Sequence, residues 1–163
     1  MIRQIVSEEF CLGCRGCCRF SQPETIWSPA LLEEDKQAFL KNNIPPLLIS
    51  VDNKVRLVYN QEQDNFVCSL LDFKDNKCKA YAFRPFECKL YPFLINRKVD
   101  KVFLAADLKC PFVEENMHKP LFKEYVQYLT TLFNNPDLRK TLKDSPQVNQ
   151  TYEGVLDLVN LEK

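Results

Sequence analysis

The stretch Cys11-Leu-Gly-Cys14-Arg-Gly-Cys17-Cys18 places four cysteines within eight residues. Two residues between successive cysteines let a tight loop direct several sulfur atoms at one metal ion or cluster. Gly13 and Gly16 each precede a cysteine, and we expect them to adopt backbone conformations that a Cβ would disfavour. The run therefore predicts a thiolate metal site around which the chain is organised.

More cysteines follow this run, for a total of eight in 163 residues. Three of them are spaced ten residues apart, and the last is followed by Pro111. In a reducing compartment such a count indicates metal ligation or redox chemistry before disulfides. We predict that all eight are metal ligands: Cys11, Cys14, Cys17, Cys18, Cys68, Cys78, Cys88 and Cys110.

Two kinds of metal centre fit eight thiolates. Three cysteines at two-residue spacing with a distant Cys-Pro are the ligand order of ferredoxin-type 4Fe–4S clusters. Eight thiolates also make two closed tetrahedral Zn²⁺ sites, and closed zinc sites are structural. His118 is the one histidine and lies outside the cysteine groups, which disfavours zinc sites that contain histidine. The 4Fe–4S interpretation divides the cysteines into Cys11, Cys14, Cys17 and Cys110 in one group and Cys18, Cys68, Cys78 and Cys88 in the other.

Two stretches of the chain resemble the YkgJ-type cysteine-cluster family, which is named for its CxxCxxCC motif and described as zinc- or iron-chelating. The first is the run from Cys11 to Arg19. The second is Cys78-Lys-Ala-Tyr81-Ala-Phe-Arg84-Pro85-Phe-Glu-Cys88-Lys-Leu-Tyr91-Pro92-Phe93. It is similar to the family pattern C-x-x-Y-x-x-R-P-x-x-C-R-x-[FY]-P-F, with Lys89 at the position of the usual arginine. The resemblance spans about residues 11 to 111 and implies metal chelation by these cysteines.

The same resemblance raises the hypothesis of a part in protein lysine methyltransfer. Some relatives are flagellin lysine-N-methylases, which transfer methyl groups from S-adenosylmethionine. Those relatives are longer, and this chain has no Gly-rich nucleotide-binding turn after a strand. We therefore rank methyltransfer below metal binding and name no catalytic residue.

Arg84 and Tyr91 are candidates for contact with the cofactor. The Arg84 guanidinium could offset thiolate charge, or it could pair with a carboxylate while Pro85 fixes the turn. Tyr91 could shield the centre from water, or it could be an ordinary core residue. Both are predicted as cofactor-binding residues outside the set of direct ligands.

The remaining pattern predicts a small α+β domain that its metal stabilises. Ser28 is the expected N-cap of a helix, with Pro29 at its first position. Hairpins are expected at 47–59 and 93–106, with another short strand at 66–71.

The C-terminal part of the chain is expected to be helical. From Pro120, apolar residues recur on one helical face, and a further short helix is expected from Pro136. We predict one domain over 1–163, with a cysteine core at 11–111 and a helical segment at 118–163 packed on it.

Charge and hydropathy argue against nucleic-acid and membrane partners. The 22 basic and 22 acidic residues balance, so no overall field favours nucleic acid. No secretory signal and no run of about 18 apolar residues is present. We expect a cytoplasmic protein with no membrane or nucleic-acid partner, whose partners are a metal ion or cluster and, for some functions, another protein. The leading hypothesis is an iron–sulfur protein for electron transfer, redox sensing or iron handling, and the alternative is a structural zinc-binding interaction module.

Overall fold

The computed structural model describes residues 2–14 and 16–162. Helices and antiparallel sheets are both present, which confirms the α+β class. The chain forms two compact units: residues 7–89, called here the cysteine unit, and residues 2–6 with 90–162, called the sheet unit. Each is described by itself. The boundary lies inside the predicted core at 11–111, and the single domain stays a prediction.

Short helices and small antiparallel sheets make up the cysteine unit. Its elements are α1 Glu8–Cys14, β1 Arg19–Phe20, α2 Glu33–Lys41, β2 Leu57–Asn60, β3 Asn65–Cys68, β4 Leu71–Asp72, β5 Lys77–Cys78 and α3 Phe86–Leu90. One sheet has the strand order β1-β3-β2, and the other is the hairpin β4-β5. In these sheets Leu57 pairs with Cys68, and Leu71 pairs with Cys78. Two predicted ligands therefore stand at strand ends.

The apolar core of the cysteine unit includes a thiol. Cys68 is 6% exposed and lies among fully buried side chains such as Phe39 and Val67. Cys18 and Cys78 are partly buried and pack against the same cluster. Sulfur atoms are thus part of the core and are not confined to surface loops. The buried cluster consists of Leu31, Phe39, Val55, Val67, Cys68, Leu70, Leu71 and Ala80.

Helix α2 begins later than the sequence predicts. The prediction of Ser28 as N-cap is wrong, because its hydroxyl donates to the Val55 carbonyl at 2.6 Å in a buried position. Ala30 pairs with Lys54 in an antiparallel bridge, so the chain is still extended there. The helix starts only where the Asp35 carboxylate can accept the Leu32 N–H, at 3.0 Å. A tertiary hydrogen bond to Ser28 thus replaces the local cap.

The hairpin predicted at 47–59 forms around its polar centre. Ile49 lies opposite Val55, and the Ser50 N–H donates to the Lys54 carbonyl at 2.8 Å. Asn53 adopts φ 59°, a left-handed turn conformation that asparagine tolerates. The residues after this turn, β2, pair with β3 instead of returning to 47–50. The strand predicted at 66–71 is confirmed in its first half by β3.

The sheet unit contains a three-stranded antiparallel sheet and helices. Its elements are β6 Phe93–Lys98, β7 Lys101–Asp107, α4 Pro111–Asn116, α5 Pro120–Phe133, α6 Pro136–Lys143 and β8 Val155–Asn160. The β6-β7 hairpin confirms the prediction for 93–106. The rings of Phe122 and Tyr125, on the buried face of α5, lie 5.1 and 5.2 Å from the Phe93 ring. The predicted apolar stripe therefore packs on the sheet.

In the segment predicted to be helical, 118–163, the α-helices end at Lys143 and a 3-10 turn follows at Pro146–Val148, but β8 is a strand that the sequence did not predict. Every residue of β8 is half-buried, so the strand lacks the alternation of buried and exposed positions that reveals a strand. Its place is fixed by Asp157, which accepts a hydrogen bond from the fully buried Asn96 amide at 2.8 Å. The Asn96 carbonyl oxygen in turn accepts the Tyr152 N–H at 2.9 Å.

Within the described residues, no helix is both long enough and apolar enough to cross a bilayer.

Replacing Asp35 by Ala is expected to destabilise the protein by about 1–3 kcal/mol. Both Asp35 oxygens lie 3.1 Å from the Phe86 N–H, so the carboxylate joins α2 to α3 as well as capping α2. Urea unfolding of the protein as purified measures the loss. Glu33→Ala, on the exposed face of the same helix, should change stability by less than about 0.5 kcal/mol. Equal losses in the two variants would show that the Asp35 contacts contribute nothing specific.

Candidate metal centre

All eight predicted ligands lie in the described part of the chain, and each is a thiol and not half of a disulfide. Seven belong to the cysteine unit, whereas Cys110 belongs to the sheet unit. Cys68 and Cys110 are buried, and Cys18, Cys78 and Cys88 are partly buried. The exposed members are Cys11, Cys14 and Cys17.

Cys11 and Cys14, called here the surface pair, lie three residues apart on α1. Residues at this spacing are neighbours on one helix face, so both thiols are presented on the same side. The helix is attached to the β4-β5 hairpin at two points. The Asn76 amide donates to the Leu12 carbonyl at 2.5 Å, and Lys77 forms an ion pair with Glu8 at 2.5 Å. The surface pair is therefore fixed to the hairpin that carries Cys78.

The glycines of the run do not have the backbone role that the sequence predicts. Gly13 and Gly16 lie outside the left-handed region, so that prediction is wrong. A Cβ added at Gly13 would meet nothing within 4 Å, because the residue lies on the exposed side of α1. A Cβ added at Gly16 would lie 3.4 Å from Cys14 Sγ. The Cys14 sulfur thus lies beside the backbone that leads into Cys17.

Electrostatic interactions link Cys17, Cys68, Cys78 and Cys88, called here the four-thiol group, and Cys18 acts on Cys17 as well. The members of the group come from four separate segments: the loop before β1, the end of β3, the end of β5, and α3. Strand pairing and backbone hydrogen bonds hold these segments together. The Cys68 N–H donates to the Cys18 carbonyl at 3.0 Å, and the Lys79 N–H donates to the Leu70 carbonyl at 2.8 Å. The fold therefore assembles thiols that are distant in sequence.

Burial and mutual charge keep these thiols protonated when no metal is bound. Burial raises the pKa of Cys68 to about 12 and also raises the pKa of Cys78. Burial, together with the charges of the other three thiolates, raises the pKa of Cys88 well above its ordinary value. A hydrogen bond with Cys18 is the largest effect that raises the pKa of Cys17. A thiophilic cation would reverse these effects, since it stabilises several thiolates together.

Arg84 supplies positive charge to this group. Its guanidinium acts to lower the pKa of Cys17 and that of Cys78, against the larger effects that raise them. The guanidinium carbon lies 4.3 Å from the centre of the Tyr81 ring, and Lys77 Nζ lies 5.1 Å from the same ring. Tyr81 thus holds Arg84 in place by a cation–π contact. The charge of Arg84 thus acts on two of the predicted ligands, and its role as a cofactor contact stays a prediction.

The donor chemistry of the four-thiol group fits a thiolate-bound metal, because it offers four thiols, with the positive charge of Arg84 acting on two of them. Within residues 2–14 and 16–162, no set of three or more Cys, His, Asp or Glu side chains has a geometry that would hold a metal ion directly. The predicted division of the cysteines stays a prediction. Cys17, which that division assigned elsewhere, is the residue whose charge acts on the other three members of the group.

In the sheet unit, Asp107 forms hydrogen bonds with both Tyr91 and Cys110. The Tyr91 hydroxyl donates to Asp107 Oδ2 at 2.9 Å, across the cis Tyr91-Pro92 turn into β6. Asp107 Oδ1 accepts the Lys109 N–H at 2.9 Å, and the Asp107 carbonyl accepts the Cys110 N–H at 3.2 Å. Cys110 then precedes Pro111 at the start of α4. The roles of Tyr91 as a cofactor contact and Cys110 as a ligand stay predictions.

Residues 10–111 match the family model CxxCxxCC, whose description is a putative zinc- or iron-chelating domain. The matched range covers well over half of the chain and contains all eight cysteines. The chain belongs to the CxxCxxCC family. No curated protein and no solved structure matches the chain. For this CxxCxxCC protein, the family supports chelation of zinc or iron without deciding between them.

Sequence reasoning missed two residues that support the four-thiol group. Glu87 precedes Cys88, and its carboxylate accepts the Ala30 N–H at 2.6 Å. Burial raises the pKa of Glu87 to about 8. Asn76 adopts φ 50°, and its side chain bonds both Leu12 and Arg19. The Asp75-Asn76 pair is a recognisable turn signal, but the sequence contains no sign of these distant contacts.

Zinc binding to the metal-free protein is expected to release about four protons per ion at neutral pH, one from each member of the four-thiol group. The raised pKa values mean that these thiols are protonated before the metal arrives, so affinity should rise with pH. Calorimetry in two buffers of different ionisation enthalpy counts the protons. Release of fewer than about two protons would contradict coordination by the whole group.

Proposed function

We propose that this chain is a metal-binding protein whose principal centre is formed by Cys17, Cys68, Cys78 and Cys88. The observation that supports this is the mutual electrostatic action of four thiols from four separate segments. In a core of this kind, thiols that merely filled space would be expected as single buried residues and not as an interacting set. Metal binding and folding would be linked, since the ligands belong to the core.

The leading cofactor in this proposal is a 4Fe–4S cluster. A 4Fe–4S cluster is held by four cysteine thiolates, which is the number that the four-thiol group supplies. A cluster would supply one-electron chemistry, which suits electron transfer, redox sensing or iron handling. Arg84 would raise the reduction potential, because its positive charge favours the reduced, more negative state. A reducing compartment such as the cytoplasm would keep the thiols available.

A structural zinc centre is the second candidate. It is favoured by the composition of the four-thiol group, because four thiolates fill all positions of tetrahedral zinc and leave none for water. Such a centre would be a cross-link between β3, β5, α3 and the N-terminal loop. The function of the protein would then be to bind a protein partner through a surface that zinc stabilises.

Anaerobic purification followed by an absorption spectrum and metal analysis separates the two candidates. An iron–sulfur protein should be brown, with broad absorption near about 400 nm. Colourless protein that contains stoichiometric zinc would contradict the redox proposal. In either case Cys88→Ser should purify with little metal and low stability. Lys89→Arg, which restores the usual family residue beside Cys88, is the matched control and should keep its metal.

Replacing Arg84 by Gln is expected to weaken metal binding by about tenfold at neutral pH. Loss of the guanidinium lets the thiol pKa values rise further, so the metal must displace protons that are held more tightly. The effect should diminish at higher pH, where thiolates form more readily. Competition with a chromophoric chelator at two pH values measures both effects. Arg84→Lys keeps the charge, and equal weakening in both variants would assign Arg84 a purely structural contact with Tyr81.

A further inference from the structure

Arg3 is held on α5 by two tyrosines of the sheet unit. The Arg3 N–H donates to the Tyr128 hydroxyl at 3.0 Å, and the Tyr125 hydroxyl donates to the Arg3 carbonyl. The Arg3 guanidinium carbon also lies 4.9 Å from the centre of the Tyr128 ring and 5.7 Å from that of the Tyr125 ring. The backbone and the side chain of Arg3 are therefore both bound by the same two side chains.

The tyrosine pair does not depend on Arg3 for its position. Tyr125 and Tyr128 lie three residues apart on α5, and residues at this spacing are neighbours on one helix face. Their ring centres are 5.4 Å apart, and the Tyr125 ring also packs 5.2 Å from the ring of Phe93 in β6. Burial raises the pKa of Tyr125 to about 12, so its hydroxyl remains a donor at neutral pH. The site would therefore persist if Arg3 left it.

Ring faces, and not a carboxylate, bind the guanidinium. Among residues 2–14 and 16–162, the salt bridges are formed by lysines, and none includes Arg3. A planar guanidinium stacks on aromatic rings and is less strongly hydrated than the ammonium group of lysine. The tyrosine pair thus suits an arginine whose own backbone N–H and carbonyl are available to the two hydroxyls.

The segment that carries Arg3 is suited to exchange with another segment. Residues 2–7 belong to no helix or strand, so no ladder of backbone hydrogen bonds holds them. Arg3 is exposed although it contacts both rings, and Ile2 is the buried side chain beside it. Segments with few buried apolar contacts open at low cost in free energy. An opened segment would leave the tyrosine pair accessible to an arginine of another molecule.

We propose that Tyr125 and Tyr128 form a binding site for an arginine in an unstructured segment of a partner protein, and that Arg3 occupies this site as an autoinhibitory contact. Arg3 defines the chemistry of the ligand, because the partner's arginine would make the same two hydrogen bonds and the same ring contacts. Binding involves no covalent step, since one arginine leaves the rings and another replaces it. The site residues belong to the sheet unit, and none is a proposed metal ligand.

Titration with a synthetic peptide tests this site. The probe is the acetylated and amidated peptide Ile-Arg-Gln-Ile-Val, which has the sequence of residues 2–6. The full-length variant Ile2→Asp/Arg3→Ala, called here the released variant, should free the native segment because a charge replaces the buried isoleucine. Calorimetry should show that the released variant binds the peptide with a Kd of about 100 μM. The wild-type protein should bind it at least about tenfold more weakly, because its own segment competes at high effective concentration.

Further changes in the released variant separate the ring contact from the hydroxyl contact. Tyr128→Leu removes the nearer ring and should abolish peptide binding. Tyr128→Phe keeps the ring and should weaken binding about fivefold through the loss of one hydrogen bond. Gln127→Ala, at an exposed position of the same helix, is the matched control and should bind the peptide like the released variant. A peptide with citrulline in place of arginine keeps the shape without the charge and should bind at least about tenfold more weakly.

The outcomes that would overturn the proposal are distinct. No binding of the peptide to the released variant would show that the tyrosines only anchor residues 2–3 in the fold. Equal affinity for the arginine and citrulline peptides would exclude a guanidinium site. Equal affinity of the wild-type protein and the released variant would contradict the autoinhibitory contact. If urea unfolding shows that the released variant is not folded, Arg3→Ala alone replaces it, and no gain in affinity over the wild-type protein would then overturn the proposal.

Discussion

Burial disfavours the charged thiolate form of the cysteines in the cysteine unit, and that is the form that binds metal. Much of the unit is arranged around this constraint. Thiols that would bind metal as anions lie within or beside an apolar core. A buried anion is costly unless a cation accompanies it. Arg84 supplies one positive charge from its position on the Tyr81 ring. A bound metal would supply the remainder, so binding and consolidation of the core would be a single event.

Two buried carboxyl groups position the helix that carries Cys88. Asp35 accepts the Phe86 N–H, and Glu87 accepts the Ala30 N–H. Burial raises the pKa of Asp35 as well as that of Glu87. Short α3 has few hydrogen bonds of its own to hold it in place. Asp35 and Glu87 attach the beginning of α3 to α2 and to the extended segment that precedes α2. They therefore determine the position of Cys88.

The sequence predicted the features that depend on local patterns. The cysteine run, the β6-β7 hairpin, the apolar stripe of α5 and the α6 start at Pro136 all follow from spacing or turn chemistry. The late start of α2 did not, because the buried hydrogen bond from Ser28 to Val55 joins residues far apart in sequence. Strand β8 was also missed, since Asp157 in its middle breaks the apolar pattern and is satisfied only by Asn96 of another strand. The set of thiols that act on one another also depends on contacts between residues far apart in sequence. Strand pairing brings these thiols together, so the set could not be predicted from local patterns.

Asn76 shows how a turn residue can control a site to which it contributes no ligand. Its left-handed backbone closes the β4-β5 turn, while its side chain donates to Leu12 of α1 and accepts from Arg19 of β1. One side chain thereby sets the spacing between three elements of the N-terminal half. Glycine at this position would keep the turn but remove both side-chain bonds. A change at this one turn position would therefore loosen the helix that carries the first two cysteines, with every thiol left unchanged.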